Sequence, residues 1–141
     1  MNKSKIRNSI LKLRKKNFNK NFKINLDNFF SLLKIKRGIK NIGGYYPSSF
    51  EIDNLEVLYL LEKKKYNISL PKIEKKNQMN FLKWSSNDPL KINKYGIPEP
   101  TSTKIVFPDI LLIPLVAYDK NLNRWGYGGG FYDRYIDRIE K

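Results

Sequence analysis

Arg124-Trp125-Gly126-Tyr127-Gly128-Gly129-Gly130-Phe131-Tyr132-Asp133-Arg134-Tyr135 is the stretch whose reading decides the fold. Four glycines fall within five residues, and Phe131, Tyr132, Tyr135, Ile136 and Ile139 then recur at helical spacing. Upstream, the apolar run Ile110-Leu111-Leu112-Ile113-Pro114-Leu115-Val116-Ala117 predicts a buried strand. Strand, glycine-rich loop and helix start together offer bare backbone N–H groups and a positive dipole end, an arrangement suited to phosphate. A Cβ in such a loop would block both the unusual φ values and the close approach of an anion. The loop lacks the Gly-Lys-Ser/Thr ending of a P-loop, and Phe131 stands where the dinucleotide fingerprint has a third small residue. Asp133, in the first helical turn, either caps the helix or holds a metal beside the phosphates. Arg124 and Arg134 flank the loop with charge suited to a polyphosphate. The plainer reading is a glycine-rich turn with an ordinary cap. Four clustered glycines are a large conformational entropy cost for that role alone.

At 141 residues the chain predicts one domain, large enough for a sizeable core. It has no cysteine, which excludes disulfides, thiol catalysis and Cys-ligated metals, and no histidine, which removes the usual general base. Any chemistry must run on carboxylates, Lys, Arg, Tyr, backbone and a hard cation. Phosphoryl transfer suits that repertoire, because positioning and charge neutralisation supply most of its catalysis. No apolar run approaches the ~20 residues of a membrane span, and the basic N-terminus lacks the apolar region of a secretory signal. The expected location is the cytoplasm. Residues 1–44 carry 13 Lys/Arg against Asp27 alone, a charge of +12, whereas residues 45–141 carry 15 against 12 acids, or +3. Such an arm suggests a polyanion partner. Lys, Asn and Ile dominate the composition, a bias that AT-rich coding can also produce without any partner, and no specific nucleic acid is expected.

From Lys3 the apolar residues Ile6, Ile10 and Leu13 predict a helix, with Lys3, Arg7 and Arg14 on another stripe that reads as a solvated basic face. Residues 17–25 read as loop. Leu26, Phe29, Phe30, Leu32 and Leu33 mark a second helix ending near Gly38, and residues 39–46 read as a strand. Asp53 and Glu56 have capping-box spacing ahead of a helix with Leu55, Leu58, Tyr59 and Leu61 on its apolar face. Glu51, just outside that cap, reads as a loop acid without a structural duty. Residues 66–71 and 79–84 read as strands. In Tyr95-Gly96-Ile97-Pro98-Glu99-Pro100, two prolines fix a rigid extended turn that aims Glu99 outward. The alternation of helices and strands predicts an α/β fold, a single domain with a mostly parallel sheet flanked by helices.

Residues 108–135 resemble the signature of the 5-formyltetrahydrofolate cyclo-ligase (5,10-methenyltetrahydrofolate synthetase) family. That signature runs from an apolar strand through Ala117-Tyr118-Asp119 to an Arg and a Gly-x-Gly-x-Gly-aromatic-Tyr-Asp loop. Further matches follow in order: the basic start, Tyr46 with Glu51, Met79-Asn80-Phe81 and Ile97-Pro98-Glu99-Pro100. The resemblance implies the NagB/RpiA/CoA-transferase-like fold and ATP-dependent cyclisation of 5-formyltetrahydrofolate to 5,10-methenyltetrahydrofolate, with ATP and Mg²⁺ required. It implies that Lys3 and Arg7 reach the ATP phosphates together with Arg124, Trp125, Gly126, Tyr127, Gly128, Gly129, Gly130, Phe131 and Tyr132. The folate falls to Tyr46, Glu51, Tyr95 and residues 127–131. Glu51, Arg124 and Tyr132 are the implied catalytic set, and Asp133 the implied metal ligand. The partners expected are these small molecules, with no membrane, and the chain acting as a monomer. Family members usually continue for several more strands beyond the point reached at Ile139-Glu140-Lys141 and carry a later Asp linked to the metal. The expectation is therefore a C-terminally short cyclo-ligase-like domain over residues 1–141, and a truncated, non-catalytic nucleotide or folate binder is the alternative.

Overall fold

The computed structural model describes residues 2–141. In chain order they form α1 (Lys3–Lys16), α2 (Leu26–Ile35), β1 (Asn41–Gly43), α3 (Leu55–Lys63) and β2 (Asn67–Ile73). A short 3₁₀ turn at Lys75–Asn77 leads to β3 (Met79–Lys83), β4 (Leu90–Ile92), β5 (Pro98–Pro100) and β6 (Ile105–Val106). Last come β7 (Ile110–Leu111), β8 (Ala117–Tyr118), β9 (Arg124–Trp125) and α4 (Phe131–Ile139).

The central sheet has the order β6-β3-β2-β1-β7. β1 is parallel to both β2 and β7, while β3 is antiparallel to β2 and to β6. Only β3 therefore runs against the other four, as the mostly parallel expectation requires. β4 with β5 and β8 with β9 make two separate two-stranded ladders.

The amphipathic face of α3 buries Val57, Leu58 and Leu61 against Ile42, Ile68, Leu70 and Trp84. Each such aliphatic side chain contributes about 1.5–3 kcal/mol of burial. Gly43 and Gly44 permit close packing beside β1. A Cβ on Gly43 would lie 2.7 Å from Leu111 Cδ2, and one on Gly44 would lie 2.5 Å from Leu58 Cδ1. Helix α4 packs on a separate cluster, where Tyr135 is buried against Met79 and Phe81 with its ring centroid 5.0 Å from that of Phe81. The Arg138 guanidinium adds bonds to Met79 O (2.7 Å), Asn80 Oδ1 (2.8 Å) and Gln78 Oε1 (3.0 Å). Helix α1 differs from the others. Asn2 caps it through Lys5 N–H at 2.9 Å, yet none of its residues is buried.

Three local expectations need correction. The apolar run 110–117 is not one strand: β7 ends at Leu111, with one further ladder bond from Leu112 N–H to Gly43 O at 2.8 Å. Pro114 has no N–H to continue the ladder, and its ring restricts Ile113. The capping box at Asp53 does not form. Asp53 Oδ1 accepts from Leu55 N–H at 2.7 Å, Asn54 occupies the cap position, and Glu56 reaches instead to Lys23 Nζ at 3.8 Å. Glu99 does not aim outward. It is buried within β5, where Oε2 accepts from Ile73 N–H and Asn93 Nδ2, each at 3.2 Å. Two flanking prolines make extended backbone there, and the antiparallel β4–β5 pairing turns that extension into a strand.

Candidate active site

Parallel strands deliver their following loops to one end of a sheet, and in open α/β folds ligands bind at that carboxyl end. From β1 the chain passes through Tyr45 and Pro47 into loop 48–51, and from β7 it passes through Pro114 into the β8–β9 hairpin and the glycine loop. Gly128 and Gly130 take φ values of +103° and +70°, and Gly130 caps α4. Each of three glycines has a guanidinium against it. A Cβ on Gly126 would sit 2.8 Å from Arg124 Nη1, on Gly128 3.3 Å from Arg7 Nη1, and on Gly130 2.8 Å from Arg134 Nη1. The loop carbonyls also face cations: Gly126 O accepts from Arg7 Nε at 2.8 Å, and Gly129 O accepts from Arg134 Nη1 at 2.7 Å. Among the described residues, the N–H groups of Gly128, Gly129 and Gly130 donate to no protein acceptor. Free amides at a helix start, rimmed by three arginines, form an anion cradle in chemical terms.

Beside the cradle lies a buried acid. Glu51 Oε1 accepts from Ser48 N–H at 2.7 Å, and Oε2 accepts from the Tyr127 hydroxyl at 2.7 Å. The same hydroxyl accepts from Arg14 Nη2 at 2.6 Å. Burial, then the hydrogen bond to the Glu51 carboxylate, pushes the Tyr127 phenol up to about 12. Desolvation followed by the Glu51 charge raises Tyr45 and Tyr132 as well. All three phenols are held neutral around one carboxylate, each in a position to donate a hydrogen bond or line an apolar wall.

The expected site residues fall into two groups. Lys3 Nζ lies 5.9 Å above the Trp125 ring, and Arg7 bonds to Gly126, so α1 does run along the glycine loop. Arg124 Nη2 pairs with Asp133 Oδ1 at 3.0 Å, and its guanidinium carbon is 5.6 Å above the Tyr132 ring. Tyr95 is exposed but meets Phe131 edge-on, with centroids 6.1 Å apart. Tyr46, just past β1, is half-buried, and its neighbour Tyr45 is buried and donates to Ile52 O at 2.6 Å. Asp133 is largely exposed, and no group of three or more acids or other metal-ligating side chains occurs among the described residues. One carboxylate beside an anion cradle still fits Mg²⁺, which is usually held by one or two carboxylates together with substrate phosphates and water.

The family profile described as the 5-formyltetrahydrofolate cyclo-ligase family matches residues 1–141. The chain belongs to that family. It is 40% identical over 108 residues to the 5-formyltetrahydrofolate cyclo-ligase of Haemophilus influenzae, covering 72% of this chain and 58% of that protein. Against the cyclo-ligase of Mycoplasma genitalium the identity is 32% over 104 residues, covering 73% and 54%. The chain thus spans little more than half the length of these relatives. Among solved structures, the 5,10-methenyltetrahydrofolate synthetase of Aquifex aeolicus aligns with a TM-score of 0.75 at 27% identity, over 98% of this chain and 73% of that one. The Mycoplasma pneumoniae synthetase aligns with a TM-score of 0.70 at 22% identity, over 98% and 79%, a likeness of fold.

In this cyclo-ligase family member, the sequence reading placed Arg14 on a solvated basic face and did not single out Tyr45. The signal for Arg14 was present: an offset of seven from Arg7 puts both on one helix face. For Tyr45 the expectation fell on its neighbour Tyr46, although successive residues in extended backbone point to opposite sides. No helix among the described residues is long and apolar enough to cross a membrane.

Proposed function

We propose that this protein catalyses the ATP-dependent cyclisation of 5-formyltetrahydrofolate to 5,10-methenyltetrahydrofolate, releasing ADP and phosphate. The observation that carries this reading is the 2.7 Å bond from the Tyr127 hydroxyl to Glu51, which fixes a buried acid at the rim of the cationic glycine loop. Two ligands bound side by side could then meet. The formyl oxygen attacks the γ-phosphoryl group, ADP leaves, N10 closes the ring on the activated carbon and loses its proton, and phosphate departs.

The N–H groups of residues 128–130 bind phosphate oxygens, with Arg7, Arg124 and Lys3 neutralising their charge. Trp125 lines the nucleotide side. Glu51 orients the formyl amide from the folate side, and Tyr95 with Phe131 forms an aromatic wall for the pterin. Tyr132 and Tyr127 keep water from the iminium phosphate, whose activated carbon would otherwise be hydrolysed. Asp133 would hold Mg²⁺ once Arg124 turns to the phosphates. When bound, the ion supplies Lewis-acid stabilisation of phosphoryl charge. The chain would work as a monomer in the cytoplasm.

The test incubates the purified protein with Mg-ATP and 5-formyltetrahydrofolate and follows the near-UV absorbance of the methenyl product. Product that depends on both substrates, and is lost in Glu51→Ala, supports the reading. Binding of either ligand without ADP release would replace it with a non-catalytic binder.

A further inference from the structure

Helix α1 fully buries no residue, yet its last turn reaches the Tyr127 hydroxyl that binds Glu51. Arg14 makes three bonds there, all to segments far away in sequence. Nη1 donates to Leu115 O at 2.7 Å, while Nη2 donates to Ser49 O at 2.8 Å and to the Tyr127 hydroxyl at 2.6 Å. These partners belong to three different segments: the chain leaving β7, the loop that carries Glu51, and the glycine loop. The loop is also strained. Ser49 and Phe50 are consecutive non-glycine residues with φ values of +51° and +60°, conformations that persist only where surrounding contacts enforce them. The enforcing contacts come from the end of α1 and the residues just after it. Arg14 holds Ser49 O, Lys15 Nζ lies 5.8 Å above the Phe50 ring, and Phe18 meets Phe50 edge-on with centroids 5.3 Å apart.

We propose that Arg14 is a positioning residue for the folate subsite: its guanidinium clamps loop 48–51 to the glycine loop and, through the Tyr127 hydroxyl, sets the orientation of the Glu51 carboxylate. The proposal rests on the substrate reading given above for what Glu51 does, but not for how Glu51 is held. A guanidinium is needed because a planar fork serves acceptors in different directions at once, which an ammonium on a flexible stem does poorly. By accepting from Arg14, the Tyr127 oxygen directs its single proton to Glu51 Oε2. The remaining oxygen of the acid is fixed by Ser48 N–H, so the carboxylate has one orientation. Arg14 meets the glycine loop at the Tyr127 side chain, whereas Arg7 bonds the loop backbone at Gly126 O and lies against Gly128.

The experiment compares wild type with Arg14→Met, Arg14→Lys, Tyr127→Phe and the Arg14→Met/Tyr127→Phe pair. In the unliganded protein, amide hydrogen exchange over residues 48–51 should quicken by about tenfold in Arg14→Met, as a locally held loop is released. In turnover, kcat/KM for 5-formyltetrahydrofolate should fall by about 10²-fold, the scale expected of a small misplacement, while KM for ATP stays within about twofold. Arg14→Lys should lie between the two. The double variant should lose less than the product of the single losses, because both act on one chain of bonds. Unchanged exchange in Arg14→Met, equal losses for both substrates, or strictly multiplicative losses would each overturn the assignment. A wild-type protein without affinity for 5-formyltetrahydrofolate would overturn the substrate reading instead, and the exchange result would then still decide whether Arg14 holds the Glu51 loop.

Discussion

Gly130→Ala probes the joint between the glycine loop and α4. At φ +70° the left-handed region costs an L-residue about 1–2 kcal/mol. Alanine regains about 0.4–1 kcal/mol by restricting the unfolded chain, which leaves a net cost near 1 kcal/mol. The new Cβ would also lie 2.8 Å from Arg134 Nη1. That guanidinium holds Gly129 O at 2.7 Å and Asn77 O at 3.2 Å, so displacing it removes two exposed bonds, worth together about 1 kcal/mol. The sum is about 2 kcal/mol. Gly38 supplies the control, since it has φ +78° and nothing within 4 Å of a built Cβ. Gly38→Ala should therefore carry the backbone term alone, about 1 kcal/mol. Urea unfolding at neutral pH measures both. At this chain length each kcal/mol moves Tm by roughly 2–4 °C, so thermal scans should resolve the difference. The variant should also raise KM for ATP by about tenfold, as a misplaced cradle would. If Gly130→Ala is no less stable than Gly38→Ala, Arg134 does not brace the loop and the ledger is wrong. If stability falls as expected but KM for ATP is unmoved, the loop does not cradle phosphate.

Three further outcomes follow from the charges. The Tyr127 phenol is raised from 10.0 to about 12, and Tyr45 and Tyr132 are raised too, so the folded protein keeps protons that the unfolded chain loses above pH 10. Stability should hold below pH 10 and fall between pH 10 and 12, a slope that Tyr45→Phe should reduce; urea midpoints across that range check it. Asp109 Oδ2 accepts from the N–H groups of Lys40 and Asn41 at 2.8 and 2.9 Å, which holds its pKa below the ordinary 3.8. Its stabilisation is present above pH 3.8 and lost as pH falls through the depressed folded value, so Asp109→Asn should cost about 0.5–1 kcal/mol at pH 7 and progressively less in acid. Chelation with EDTA should abolish cyclisation, and Asp133→Ala should raise the Mg²⁺ needed for half-maximal rate by about tenfold, read by titration; full activity without Mg²⁺ would remove the metal from the scheme.

What the sequence reveals here is set by the range of the interactions involved. The helices and the glycine loop were legible because they rest on local periodicity and local backbone geometry: Tyr135 and Ile139 share the face that meets Phe81, and Gly130 begins α4. The family signature supplied the pairing of Glu51 with the loop, which no spacing could give, as 76 residues separate Glu51 from Tyr127. The failures were of two kinds. At Pro114 and at Asp53, local rules competed and ladder geometry or a neighbouring cap prevailed. At Glu99 and Arg14, a polar side chain beside local turn or helix signals looked solvated, while its acceptors or donors lay far along the chain. The partners of Arg14 are 35, 101 and 113 residues away. Helix α1 shows why this matters for function. A helix whose apolar residues Ile6, Ile10 and Leu11 are only half-buried leans for its attachment on the cationic contacts of Lys3, Arg7 and Arg14 to Trp125, Gly126 and Tyr127. Those three contacts meet consecutive residues of the glycine loop. The same charges that attach the helix therefore shape the site, which ties the order of the loop to the docking of α1.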